Sequence, residues 1–197
     1  MSFRKEKKFR LTKYDLDSLR NKLLLQGMEP LYEKREIKSL YYDSKLYSMY
    51  HDSEEGLLPR KKIRVRWYND IRKASKEVKI SSFEGRFKTS EFIDVTSQNS
   101  LPINLNDPYY GIIFPSLLVS YTREYFAFES MRITFDSDIK YFNHRLDQNI
   151  PFTDEEHVME IKVGIAVTDD YIESLIKLPT SRFSKYSRGL LISTGYL

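Results

Sequence analysis

The feature that most constrains this chain is an alternation of period two that returns on most of its apolar segments. In IRVRWY, Ile63, Val65 and Trp67 alternate with Arg64 and Arg66. Along a strand, side chains two apart share a face and sit roughly 6.6 Å from one another. The same sorting puts Glu6, Lys8 and Arg10 opposite Phe9 and Leu11, and Glu77 and Lys79 opposite Val78 and Ile80. It pairs Arg86 with Lys88, sets Arg123 between Tyr121 and Tyr125, and aligns Arg132, Thr134 and Asp136 opposite Ile133 and Phe135. It also places Glu160 and Lys162 opposite Met159, Ile161 and Val163. A chain with this pattern builds antiparallel sheet with one apolar face and one charged face.

The pattern predicts strands near 3–11, 36–43, 60–69, 75–81, 86–94, 117–127, 131–137 and 157–163, with SSFEG as a hairpin connection between the fourth and fifth. Thr12 as N-cap, Asp15 three residues on, the Leu16, Leu19, Leu23 stripe and Gly27 predict a first helix. Others are expected at about 168–178, opening on Thr168 and two aspartates, and through 183–193. All seven prolines fall outside these strands, and 96–112 and 143–156 read as polar loops. With 197 residues, the expectation is one domain spanning 1–197. There is no cysteine, which excludes disulfides, thiolate metal sites and a cysteine nucleophile and suits a reducing, cytoplasmic setting. The basic start has no apolar stretch behind it, and GIIFPSLLV is short and broken by Pro115, so a soluble intracellular protein is expected.

Two architectures explain the charged faces. In an open sheet they are solvated. In a closed barrel they line an interior, which is costly unless the charges are paired or a ligand neutralises them. Arg and Lys lead on these faces, with one carboxylate beside a cation on several strands, a composition suited to a polyanion plus a divalent metal. The seven glycines are scattered, so no glycine-rich loop cradles phosphate with backbone amides. His51, His144 and His157 lack metal-ligand spacing. A phosphate site here must be built from side chains, with arginine forks and lysine charges on oxygens and carboxylates holding a hard cation.

In order, RKEKKFRL, REIKSLYYDS, KKIRVRWY, EVKI, SYTREYF, RITFD, EIKV and SKYSRG resemble the VTC (vacuolar transporter chaperone) domain of the triphosphate tunnel metalloenzyme superfamily over nearly the whole chain. The resemblance implies a mainly β fold, an eight-stranded antiparallel tunnel-like barrel with a basic interior and helices outside. It implies a polyphosphate polymerase, a transferase that moves the γ-phosphate of ATP onto a growing polyphosphate chain using Mn²⁺ or Mg²⁺. Carried over by motif, Arg64, Arg66, Lys79 and Lys162 act on the transferred phosphate. Lys8, Lys88, Arg123, Arg132 and Lys185 bind substrate, and Glu160 and Glu6 hold the metal. Lys7, Lys61 and Arg72 are expected on solvated surface.

The hydrolase branch of the superfamily opens with ExExK, whereas here Arg4 stands at the first glutamate's place. That removes a ligand from a two-metal arrangement and favours a phosphate acceptor over water. No SPX regulatory domain or membrane segment accompanies the tunnel residues, so any coupling to translocation is expected from a membrane-protein partner. Two other readings stand beside the polymerase: a triphosphate or nucleoside triphosphate hydrolase of the same fold, and a non-enzymatic polyanion or nucleic-acid binder. The carboxylates among the cations argue against a surface made for a nucleic-acid backbone.

Overall fold

A computed structural model describes residues 4–95, 101–146 and 150–195, apart from the Arg4 side chain. Residues 96–100 and 147–149, within the two expected loops, and Phe3 of the first expected strand lie outside that description. Among the described residues, ten strands form the sheet: β1 (Arg4–Leu11), β2 (Glu29–Asp43), β3 (Arg60–Tyr68), β4 (Asp70–Ser82), β5 (Gly85–Phe92), β6 (Leu105–Asp107), β7 (Gly111–Phe128), β8 (Met131–Asn143), β9 (Phe152–Thr153) and β10 (His157–Gly164). Four helices accompany them among the same residues: α1 (Lys13–Leu25), α2 (Ser48–Glu55), α3 (Asp169–Ile176) and α4 (Lys185–Thr194). Eight strands pair in the order β1-β10-β8-β7-β2-β3-β4-β5, with β6 added to β7 and β9 to β8. This is the mainly β, tunnel-like antiparallel class that the family resemblance implies. Among the described residues no helix is long and apolar enough to cross a membrane.

The chain divides into two compact units. The first comprises Met1–Arg35, Tyr121–Ile139 and Thr153–Phe183. Its apolar face buries Phe9, Ile133, Phe135, Met159 and Ile161, and α1 covers them with Leu16, Leu19 and Leu23 while α3 adds Ile172 and Ile176. The start of α1 is the expected capping box: Asp15 N donates to Thr12 Oγ1 at 3.1 Å and Thr12 N donates to Asp15 Oδ2 at 3.2 Å. α3 opens on Thr168, whose hydroxyl accepts from Tyr171 N, and Asp169 and Asp170 fill its first turn.

The second unit comprises Glu36–Ser120, Lys140–Phe152 and Ser184–Leu197. Leu40, Tyr42, Ile63, Val65 and Trp67 form its apolar cluster, with Met49 of α2 packed on it. β4 and β5 meet in the expected hairpin, with Ser82 opposite Gly85 and two residues between them. Gly85 at φ 142° occupies a conformation other residues avoid. α4 packs against the face carrying Tyr41 and Asp43, since Tyr186 stacks on Tyr41 and hydrogen-bonds Asp43.

Several boundaries differ from those expected. β2 starts at Glu29, β4 at Asp70, β7 at Gly111, and β8 continues to Asn143. Pro30 and Pro115 therefore lie inside strands. Pro30 is the second residue of β2, and Pro115 follows Ile113, the last residue of β7 paired with β6. Beyond Ile113 the β6 pairing has ended, so the missing N–H of Pro115 costs no bond to β6. α2 was not expected because its N-cap is Tyr47, which makes no side-chain cap. Its first amides are accepted instead by Asp43, from Met49 N at 2.9 Å and Tyr50 N at 3.0 Å.

Gly189 of α4 is required by packing. A Cβ there would lie 2.4 Å from Tyr141 Cδ1 and 2.6 Å from Leu117 Cδ2, both fully buried side chains. Gly189→Ala should destabilise the chain by about 1–3 kcal/mol despite alanine's better helix propensity. Urea unfolding measures this, and an unchanged midpoint would show that α4 does not seat as described.

Candidate phosphate-binding faces

The charged faces are buried at their centres and open at their margins. Arg64 is 8% exposed, Glu77 5% and Glu160 9%, whereas Glu6, Lys79, Lys88 and Arg132 are exposed, so the faces are not simply solvated surface. Burying charge costs several kcal/mol per ion unless partners compensate, so the partners define what each face can bind.

In the second unit, register makes the face from side chains of neighbouring strands. Ser39 lies opposite Arg66 and Tyr41 opposite Arg64 on β2–β3. Arg64 faces Glu77 and Lys62 faces Lys79 on β3–β4, and Lys79 faces Lys88 on β4–β5. Three lysines thus form a row across adjacent strands spaced about 4.8 Å. Glu77 is shared: Arg64 donates through Nε at 2.8 Å and Nη2 at 2.5 Å, Lys88 donates at 2.6 Å, and Arg66 Nη1 lies 3.9 Å away. Burial opposes ionisation of Glu77, but Arg64, Arg66 and Lys88 outweigh it and hold the carboxyl down at about 2. Lys62 donates to Ser184 Oγ at 2.9 Å, the N-cap of α4, and Lys185 is the half-buried first residue of that helix. Lys79 is exposed.

In the first unit, β1, β10 and β8 place Glu6 opposite Lys162, Lys8 opposite Glu160, Glu160 opposite Thr134 and Lys162 opposite Arg132. Carboxylates and ammoniums alternate, so each acid has basic neighbours. Lys162 reaches Glu160 at 2.8 Å and Glu6 at 3.7 Å, and Lys8 lies 3.5 Å from Glu6. Lys8 also donates to the Phe183 carbonyl at 3.0 Å. Burial pushes the Glu160 carboxyl up, yet Lys162, Arg123 and Lys8 prevail and set it at about 2. Arg123 forks onto Asp136, Nε to Oδ1 at 2.5 Å and Nη2 to Oδ2 at 2.7 Å. Arg132 is exposed and, with Lys162 and Glu129, lines a cavity of about 390 Å³.

The fit of a divalent cation can be tested on this face. Among the described residues no group of three or more His, Asp or Glu side chains converges. Glu160 nevertheless faces Thr134 across the strand pair, and Thr134 Oγ1 is buried without a hydrogen-bond partner. One ionised carboxylate, a second at Glu6 and an unsatisfied hydroxyl suit a hard cation that takes its remaining ligands from phosphate and water.

The structure therefore gathers Lys8, Glu6, Glu160, Lys162, Arg123 and Arg132 in the first unit, and Arg64, Arg66, Lys79, Lys88 and Lys185 in the second. Sequence reasoning missed Tyr41, Lys62 and Asp136 as members, and Glu77 as the shared acid. Parity along LYYD and KKIRVR marks Tyr41 and Lys62, but only cross-strand register shows their partners. Lys61 is not solvated surface, as it binds the buried Asp107 at 3.0 and 3.1 Å. Lys7 donates to Asp169 at 2.9 Å, while Arg72 is exposed and paired with Asp70.

The VTC domain profile matches residues 3–102 and 112–194. No curated protein matches the sequence. Among solved structures, protein PH1819 from Pyrococcus horikoshii is 16% identical with a TM-score of 0.58, over 98% of this chain and 99% of its own. A candidate adenylate cyclase from Vibrio parahaemolyticus is 17% identical with a TM-score of 0.53, over 96% and 98%. A candidate adenylyl cyclase from Hippeastrum with a dominant triphosphatase activity is 15% identical with a TM-score of 0.55, over 98% and 96%. At these identities the likeness shows a shared fold.

Because the Glu77 carboxyl falls from 4.5 to about 2 on folding, its contribution to stability is fully present above pH 4.5 and is lost as pH falls toward 2. The stability difference between the wild type and Glu77→Gln should narrow by about 2 kcal/mol between pH 6 and pH 3. Denaturant unfolding at both pH values measures it. A gap independent of pH would mean that Glu77 is not the shared acid.

Proposed function

The chain belongs to the VTC domain family, and from that premise we propose that it is a metal-dependent polyphosphate polymerase that transfers the γ-phosphate of ATP to a growing polyphosphate chain. The observation that supports this most is that arginines and lysines crowd each strand face around a few carboxylates buried at its centre, Glu77 and Glu160 among them. Such faces are ready for a polyanion made of repeated phosphates.

In this reading Arg64 and Arg66 bind oxygens of the transferred phosphoryl, where planar forks match phosphate geometry. Lys79 adds charge there, and Lys88 and Lys185 hold the phosphate chain. Lys8, Arg123, Arg132 and Lys162 supply the positive field on the first unit's face. A bound Mn²⁺ or Mg²⁺, held by Glu160 with Glu6 and the Thr134 hydroxyl, would neutralise phosphate oxygens. In the transfer itself, a terminal phosphate oxygen of the chain forms the new P–O bond as the bond from the γ-phosphorus to the bridging oxygen breaks, and ADP leaves. The attacking phosphate is already ionised at neutral pH, so no general base is needed. Catalysis is then positioning and charge neutralisation. ATP as donor and a chain without cysteine fit a cytoplasmic setting. The triphosphatase activity named for the Hippeastrum protein makes hydrolysis by the same fold the second reading.

Incubation with ATP and Mn²⁺, with products sized on a gel, separates the two. Long polymer is expected, and orthophosphate alone would leave the hydrolase. Arg66→Ala should lower turnover by about 10²–10³-fold and weaken tripolyphosphate binding with or without metal. Glu160→Gln should abolish metal-dependent turnover while preserving metal-free tripolyphosphate binding. Full metal-dependent activity in Glu160→Gln would remove Glu160 from the metal site.

A further inference from the structure

We propose that Tyr41 binds phosphate, its phenolic hydroxyl donating a hydrogen bond to a phosphate oxygen on the same face as Arg64 and Arg66; the inference rests on the polyphosphate reading. Register puts Tyr41 on this face, opposite Arg64, while its neighbours Leu40 and Tyr42 point into the apolar cluster. The ring is fixed. It stacks on Tyr186 at 4.8 Å with an interplanar angle of 18°, and Tyr186 is itself tied to Asp43 by a 2.6 Å hydrogen bond.

The hydroxyl is half used. It accepts from Arg64 Nη1 at 2.9 Å, and its own proton meets no acceptor among the described residues. Other tyrosines are arranged differently. Tyr42 donates to the Pro102 carbonyl at 2.7 Å, Tyr110 to Asp52 at 2.5 Å, Tyr171 to Glu129 at 2.8 Å and Tyr186 to Asp43 at 2.6 Å. A buried donor without an acceptor is costly, and in this position the field selects what supplies one. Arg64, Arg66 and Lys79 surround the phenol, Glu77 lies behind Arg64, and Tyr186, Asp43 and Arg145 lie beyond the stacked ring. An anionic oxygen suits that field.

The same field has a consequence for pH. Burial opposes phenolate, but Arg64, Arg66 and Lys79 prevail and bring the Tyr41 phenol to about 7. Phenolate cannot donate and repels phosphate, so phosphate and proton should bind together. The hydroxyl's contribution is present below neutral pH and lost as pH rises through the phenol's range.

The test measures binding of inorganic tripolyphosphate without metal to the wild type, Tyr41→Phe and Arg66→Ala, at pH 6 and pH 8.5. Phenylalanine keeps the stacked ring and removes the hydroxyl. At pH 6, Tyr41→Phe should bind about tenfold or more weakly, and the difference should shrink toward none at pH 8.5. Ultraviolet difference absorbance should show one tyrosine ionising near neutral pH in the wild type, absent from Tyr41→Phe and moved upward by tripolyphosphate. If Arg66→Ala weakens binding but Tyr41→Phe matches the wild type at both pH values, the Tyr41 inference is overturned and the phosphate reading stands. If the wild type does not bind tripolyphosphate at all, both fall.

Discussion

The sharing of a few buried carboxylates among many cations is the constraint on which the two strand faces depend. Glu77 serves Arg64, Lys88 and the more distant Arg66, and Glu160 lies under Lys162, Arg123 and Lys8. An isolated carboxylate would be driven toward its neutral form in such places, and an isolated guanidinium would carry its charge at a large desolvation cost. Here the Coulomb attraction overcomes desolvation, since both acids end well below their ordinary range. The arrangement keeps the faces folded without a ligand and still positive enough to receive one. Making every cation a tight one-to-one pair would leave nothing for an anion to neutralise, and removing the acids would leave like charges crowded in a low dielectric.

A second polar knot governs where the second unit's arginine can sit. Asp43 accepts from the amides of Ser44, Met49 and Tyr50 and from the Tyr186 hydroxyl. Its backbone carbonyl accepts from Arg145 Nη2 at 2.9 Å, and Arg145 also stacks 4.1 Å over Tyr47. These bonds tie the end of β2 to the start of α2 and to α4. Through Tyr186 they fix Tyr41, and through Tyr41 and Glu77 they fix the plane of the Arg64 guanidinium. Burial pushes the Asp43 carboxyl up, although its donors work against this. A fork is useful for phosphate only when its plane is held, so a carboxylate that touches no arginine contributes to the site.

Much of this was legible in the sequence because strand alternation depends on local pattern alone. Arg64, Arg66, Glu160 and Lys162 declare their face by parity, and Thr12 with Asp15 declares a helix start by spacing. What was not legible depends on register or on remote partners. Whether the charged face is wet or buried is invisible in IRVRWY and is decided by 8% exposure at Arg64. α2 is capped by Asp43, five residues before its first residue, so the usual N-cap rule finds nothing. Lys61 looks like surface because its acidic partner is remote in the sequence, yet β6 brings Asp107 to it. Pro30 and Pro115 lie inside strands because proline is unfavourable only where a ladder bond is needed.

The shared carboxylates also bear on which phosphate the faces prefer. An anion that approaches Arg64 or Lys88 must compete with Glu77, bonded at 2.5 and 2.6 Å. A single orthophosphate therefore exchanges one anionic partner for another and gains little. Lys62 also bonds the neutral Ser184 hydroxyl, a contact weaker than an ion pair and displaced at smaller cost. Lys79 lies between Lys62 and Lys88 in the same cross-strand row. A phosphate chain can engage that row while only partly displacing Glu77, and each further phosphate binds as an intramolecular step with high effective concentration. In the polymerase reading, selectivity for chains over orthophosphate thus follows from Glu77 holding part of the face. A more open cluster of the same cations would bind every phosphate alike.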